Sequence, residues 1–379
     1  MEFRSRSKLK IAIVHDALVV PAGSERVALS ISNLFPDAPI FTSAYLPENT
    51  FPEFKTKDIH TLQFSNLIKN ERQFKKLYPL WLAELQLLNF SKFDLVISSA
   101  NYLSKFVHLP KHTIHVCYLY NPIRFLWKHK VYSKESLPFG SISLSLIKSF
   151  LPVLQKYDIK RTRKIDHLLT ISNNVAGQID RIYGRTAEVI YPPVDISSYP
   201  ISSISGDYYL YAGRLISHKR ADIAINACKK LNRRLIVAGD GLEREKLEEL
   251  AGKNVVFTGR VTDQELKELY ANCRALLFPS DEDFGLVPVE AQACGRPIIA
   301  FRSGGALETV IAGETGVFFD AQTTESLIEA IQRFELLSFD SDRIRRNAMN
   351  FDISVFNNKF RSFIDQVISH EGAKIEKQS

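Results

Sequence analysis

The stretch DYYLYAGRLISHKRADIAINACKKLNRRLIVAGD, residues 207–240, reads as strand, turn, helix and strand in succession. Residues 208–212 and 234–238 are short apolar runs rich in β-branched or aromatic side chains. Residues 221–231 repeat their apolar positions at helical spacing. Two strands joined through a helix are a parallel crossover unit, and the pattern continues downstream. Strands are expected at residues 255–258, 275–278 and 297–301, with helices at 242–251, 263–271 and 285–293. Each strand runs into a Gly, Pro or Ser turn, as an open sheet with helices on both faces requires.

The first half carries the same alternation less cleanly. Strands are expected at residues 10–15, 94–98, 115–120, 167–172 and 189–191. The stretch SSYPISSISG, residues 197–206, is rich in Ser, Gly and Pro without periodicity and reads as a linker. The chain then divides into a disordered lead-in (1–8), a first Rossmann-like domain (9–196), the linker (197–206), a second Rossmann-like domain (207–345) and a C-terminal helical stretch (346–379) returning to the first. The fold class is α/β, with two Rossmann-like domains whose parallel sheets face a central cleft.

A chain of 379 residues exceeds one ordinary core, in line with two domains. The 45% hydrophobic and 24% charged residues are the balance of a soluble globular protein. The apolar run after the basic N-terminus stops at Val14, too short for a signal-peptide core, and nowhere do 18 apolar residues run together. Four scattered cysteines without metal-ligand spacing suit reduced thiols and a cytoplasmic location. Net charge is +7, but residues 1–195 carry +10 and the remainder −3. A basic first half suits an anionic partner, and residues 70–88 (NERQFKKLYPLWLAELQLL) have the make-up of a segment resting on an anionic membrane or of a buried helix after a basic turn. No nucleic-acid-binding module is recognisable.

The richest local signal is PSDEDFGLVPVE, residues 279–290, between an expected strand and an expected helix. Gly285 allows a ligand close to the backbone, and free N–H groups at a helix start favour phosphate. Glu282 and Glu290, on a helical rise, stand roughly 10 Å apart, the spacing of two sugar rings flanking a diphosphate. Glu282 is then placed to accept hydrogen bonds from a donor sugar and Glu290 from ribose hydroxyls. In GRLISHKR, residues 213–220, Arg214 and Lys219 are placed to hold the diphosphate, Arg by bidentate geometry and Lys as a mobile charge. In the first half Gly23 opens a helix after the first strand. YLYNPIRFLW, residues 118–127, reads equally as an acceptor-stacking stretch or a packed domain edge; it supplies Tyr120 and Arg124, which with Lys105 are candidates for sugar or acceptor contacts. Asp281-Glu282-Asp283 formally reads as a metal motif, but the Arg214–Lys219 pair makes a metal redundant, so none is expected.

Together, GRL…K (213–219), the E-x7-E of Glu282 and Glu290, and EAQACGRP (290–297) resemble glycosyltransferase family 4 from about Ile11 to Phe363. HDAL, IYPPVD (190–195) and EDFGLVPVE look most like bacterial mannosyltransferases of surface-polysaccharide biosynthesis. The resemblance implies a GT-B fold and retaining, metal-independent hexosyl transfer without a cofactor. The substrates it implies are a nucleotide sugar, GDP-mannose at family level, and a saccharide or lipid-linked saccharide acceptor. The expected location is cytoplasmic, peripheral on the inner face of the cell membrane. By the same resemblance Arg214 and Lys219 bind the diphosphate, Glu282 the sugar and Glu290 the ribose. Gly213 and the backbone of Phe284, Gly285 and Leu286 line the sugar and distal phosphate, Gly23 closes over the phosphate, and Arg260 and Val261 sit near the base. The family often has a donor-contacting His in a His-x-Pro pattern where this chain has Tyr120-Asn121-Pro122. Two alternatives stand beside this reading: a nucleotide-sugar epimerase of the same fold, and a non-catalytic nucleotide-sugar-binding partner subunit.

Overall fold

The computed structural model of the chain describes residues 9–68, 73, 77–127, 144–202 and 206–376. The lead-in, residues 1–8, and the basic start of the 70–88 segment, apart from residue 73, lie outside them. Two compact units are present, one of residues 1–193 with 356–379 and one of residues 194–355.

The first unit is built on seven parallel strands: β1 (Ile11–His15), β2 (Ile40–Thr42), β3 (Ile59–Thr61), β4 (Leu95–Ala100), β5 (Ile114–Leu119), β6 (His167–Thr170) and β7 (Glu188–Val189). Their order is β3-β2-β1-β4-β5-β6-β7, so the winding reverses between β1 and β4. The register pairs Ile11 with Leu95 and His15 with Ser99. β2 and β3 escape the sequence reading because three residues are too few to show a period.

Trp81 and Tyr78, on the helix Tyr78–Leu87, are buried in the same core as Val14, Phe90 and Val96. That corrects the membrane-resting interpretation for the described part of the segment, because its large aromatic surface is spent inside the unit. The helix Ile353–Glu376 brings Phe356 and Phe360 to 6.0 and 6.3 Å from the Tyr118 ring.

The second unit holds six parallel strands: β8 (Tyr208–Ala212), β9 (Arg234–Ala238), β10 (Val255–Gly259), β11 (Ala275–Phe278), β12 (Ile298–Phe301) and β13 (Gly316–Phe319). Their order is β10-β9-β8-β11-β12-β13, with the reversal between β8 and β11. The central strands are buried along nearly their whole length, as strands covered on both faces must be. The unit begins at Val194 and ends at Val355 rather than at 207 and 345. The Val194 amide donates to Phe351 O at 3.0 Å and the Ile353 amide to Val194 O at 2.9 Å, joining its two ends. The stretch read as a linker is partly anchored too, since the Arg345 guanidinium donates to the Ile196 and Tyr199 carbonyls.

Candidate active site

In an open parallel sheet, the loops at the carboxyl ends of the strands flanking the reversal diverge and leave a crevice for a ligand. In the second unit those loops are residues 213–220 after β8 and 279–285 after β11. They carry Arg214, Lys219 and Glu282. All three therefore stand at one end of one sheet.

Lys219 closes a single 3-10 turn, Ser217–Lys219, and Arg220 follows in the left-handed region at φ 54°. Arg220 is held there by a two-pronged pair with Asp222, both bonds 3.0 Å. The Lys219 carbonyl accepts hydrogen bonds from the Tyr211 hydroxyl of β8 (3.4 Å) and from Ser280 Oγ just beyond β11 (3.1 Å). Burial, reinforced by the Glu282 charge, pushes the Tyr211 phenol well above its ordinary range, so it stays a donor. The Lys219 backbone is thus tied to both strands at the reversal. Its Nζ forms an ion pair with Glu282 Oε1, the two side chains being 18% and 23% exposed. A cation and a carboxylate in contact, partly open to water, are groups a charged ligand can separate and engage.

Glu282 is held from the next loop. The Gly305 amide donates to the Glu282 carbonyl at 2.8 Å, and Ser303 Oγ donates to Asp281 at 2.9 Å. A Cβ on Gly305 would stand 2.2 Å from the Phe284 Cα, so only glycine permits this approach. Gly285, at φ 84°, turns the chain into the helix Leu286–Ala293 with no side-chain cap. The first-turn amides of a helix have no intrahelical acceptor, so that end suits an anion. The helical rise assumed between the two glutamates does not hold over its whole length, because Glu282 lies ahead of the helix and only Glu290 is on it. Glu290 is half-buried, and its Oε2 accepts the Tyr270 hydroxyl at 2.9 Å.

The other positions named from the sequence take several forms. The Gly213 amide is committed to the Ala238 carbonyl at 2.9 Å, extending the sheet. Arg214 and Arg260 are exposed, and Val261 is half-buried after β10. The Phe284 ring is buried 5.7 Å from Phe351, and Leu286 opens the helix.

In the first unit Gly23 opens the helix Gly23–Leu34. Tyr120 is buried, its hydroxyl donating to Ser24 O at 2.9 Å and lying 2.8 Å from Ser99 Oγ. With its one proton committed to Ser24, Tyr120 accepts from Ser99. Ser99, 3.0 Å from His15 Nδ1, then accepts the imidazole N–H. Tyr120 is therefore bound into the frame at the carboxyl ends of β1, β4 and β5, with its hydroxyl proton already given to Ser24 rather than to a sugar. Lys105 needs a correction. Its Nζ is buried 2.5 Å from Asp158 Oδ1 and donates to Thr162 and Tyr183, so it is an interior cation with no ligand-facing charge. Arg124 is half-buried at the start of the short helix Arg124–Trp127.

Sequence reasoning missed Tyr211, Ser280 and Tyr270, whose roles depend on partners distant along the chain. It also missed Asp16, the buried carboxylate after β1 that accepts the amides of Asn101, Tyr102, Leu103 and Ser104 at 2.7–2.8 Å. A charge directly after an apolar strand was the available signal.

Residues 205–351 match the family model described as Glycosyl transferases group 1. Over 177 residues the chain is 33% identical to an uncharacterized glycosyltransferase of Methanocaldococcus jannaschii, covering 45% of this chain and 50% of that protein. The chain thus spans about half the length of that relative. It is 26% identical to the O-antigen chain mannosyltransferase RfbU of Salmonella typhimurium, over 76% of this chain and 83% of that one. Among solved structures it is similar to Anabaena HepE in complex with UDP-glucose, with a TM-score of 0.70 at 18% identity over 95% of this chain and 100% of that one. The family match lies in the C-terminal unit, and the two parallel-sheet Rossmann-like units have the GT-B fold of the similar solved structure.

Proposed function

We propose that the chain is a retaining, metal-independent glycosyltransferase that moves a hexose, mannose from GDP-mannose, to a saccharide or lipid-linked saccharide acceptor in cell-surface polysaccharide synthesis. The observation carrying this reading is the contact between Lys219 and Glu282 at the order reversal of the second sheet. Arg214 and Lys219 take the two phosphates, Glu282 turns to the sugar, and Glu290 receives the ribose hydroxyls. The similarity to RfbU favours mannose, whereas the HepE complex holds UDP-glucose, so both donors belong in the test.

In the proposed reaction the bond between the sugar anomeric carbon and the phosphate oxygen loosens first. The acceptor hydroxyl then bonds to that carbon from the same face. The proton it loses passes to the departing phosphate oxygen, so no protein base is required. Arg214 and Lys219 stabilise the charge growing on the diphosphate, and losing one such contact typically costs ~3–4 kcal/mol, a hundredfold or more in rate.

The test combines thermal stabilisation by GDP-mannose and UDP-glucose with donor turnover in the presence of EDTA. Expected are stabilisation by one donor, turnover that persists in chelator, and a loss of at least about a hundredfold in Lys219→Ala and Arg214→Ala. Near wild-type turnover in both variants overturns the reading. Donor interconversion without any acceptor would instead identify an epimerase.

The same reading sets the protein on the cytoplasmic side, peripheral to an anionic membrane. The charge of +10 over residues 1–195 and the exposed Phe64 and Leu67 support it. Among the described residues no helix is long and apolar enough to cross a membrane.

A further inference from the structure

The sequence reading gave Glu290 a ligand and nothing to hold it. Glu290 lies on Leu286–Ala293, where Val289, Ala291 and Ala293 are fully buried apolar neighbours that offer its carboxylate no hydrogen bond. The polar anchor arrives from another helix, Asp263–Asn272. Its Tyr270 is fully buried, and the hydroxyl donates to Glu290 Oε2 at 2.9 Å. Tyr199 packs against the Tyr270 ring at 6.5 Å between centroids, so the phenol is confined. Burial keeps its pKa well above the ordinary range, which makes it a donor at every working pH.

We propose that Tyr270 is the positioning residue for Glu290, holding one carboxylate oxygen so that the remaining acceptor sites meet the vicinal 2′- and 3′-hydroxyls of a ribose. This inference rests on the nucleotide-sugar reading of the site and deepens it. A carboxylate has about four acceptor positions, and a tyrosine fills one of them. A glutamate left free loses rotamer freedom when a ligand captures it, and one already anchored loses less. The anchored geometry favours a ligand that donates two hydroxyls from adjacent carbons. Tyr270 touches no substrate itself and acts only through Glu290.

The experiment measures binding of GDP and UDP, and of their 2′,3′-dideoxy counterparts, to the full chain by calorimetry. Tyr270→Phe keeps the ring and removes the hydroxyl. It is expected to weaken binding of the preferred ribonucleotide on the order of three- to tenfold, the effect of one lost hydrogen bond. Binding of its dideoxy counterpart should be unchanged. In a Glu290→Ala background, Tyr270→Phe should have no further effect. Should the phenylalanine variant fail to fold, Tyr270→Met, which also lacks the hydroxyl, gives the same comparison. Equal weakening of both nucleotides would mean that Tyr270 merely packs two helices together, and this, or no weakening of either, overturns the proposal. Failure of the wild-type chain to bind any of the four nucleotides overturns the nucleotide-sugar reading itself, and this inference with it.

Discussion

Lys219 and Glu282 neutralise one another across the reversal in the second sheet, and under the proposed function the carboxylate has two opposing effects on a bound diphosphate. It orients Lys219, and it also competes for Lys219 and repels the anion. Removing the charge while keeping the shape separates the two. In Glu282→Gln, free nucleoside diphosphate should bind several-fold tighter, because a gain of about 1 kcal/mol is roughly fivefold. Sugar transfer by the same variant should fall about a hundredfold or more. Calorimetry with the diphosphate and a turnover assay read the two outcomes, and weaker diphosphate binding would show that Glu282 does not restrain Lys219.

A second residue-scale effect lies in the first unit. His115 is buried on β5 with Nε2 2.8 Å from Ser98 Oγ, and burial, assisted by the nearby Arg161 charge, lowers its pKa to about 3. Above the unfolded value of about 6.5, neither state holds this proton and stability does not depend on it. As pH falls below that, the unfolded chain takes up a proton that the folded chain refuses. Stability then declines by as much as ~1.4 kcal/mol per pH unit from this group until about pH 3. Denaturant melts between pH 7 and 4.5 should show a shallower decline in His115→Asn than in the wild type.

Elements are tied together here by groups that look functional in the sequence. Lys105 sits in the short 3-10 turn Ser104–Phe106 after β4, and Asp158 near the end of the helix Leu144–Thr162. Asp158 also accepts Trp127 Nε1 and the Tyr183 hydroxyl, each at 2.8 Å, so one carboxylate joins four elements. Breaking such a buried pair leaves an uncompensated charge. Lys105→Met should therefore destabilise the chain by about 3–5 kcal/mol. Nucleotide affinity measured well below the melting temperature should remain at the wild-type level. A variant of normal stability with impaired acceptor use would restore Lys105 to the acceptor site.

Across the whole chain the net charge divides unevenly, with +10 on residues 1–195 and −3 on the rest. If the first unit meets an anionic bilayer, the protein should co-sediment with phosphatidylglycerol vesicles at low salt. Binding should fall as ionic strength shortens the screening length to about 8 Å near 0.15 M. Equal binding to phosphatidylcholine vesicles, or none to either, would remove the membrane partner.

The amino-acid sequence alone determined the alternation of strand and helix in the second unit. Residues 208–212, 221–231, 234–238 and 275–278 were delimited as the structure has them, because buried parallel strands and amphipathic helices carry their own periodicity and end in their own turns. It also placed Arg214, Lys219 and Glu282 in loops after strands, since that signal too is local. Tertiary structure alone decided the strand order, the short strands β2, β3 and β13, and the partners of the charged side chains. Lys219 meets Glu282 across 63 positions, Tyr270 meets Glu290 across 20, and Lys105 meets Asp158 across 53. Contacts at such separations leave no period in the sequence; a lysine bound for the interior is spelled the same way as one bound for a ligand.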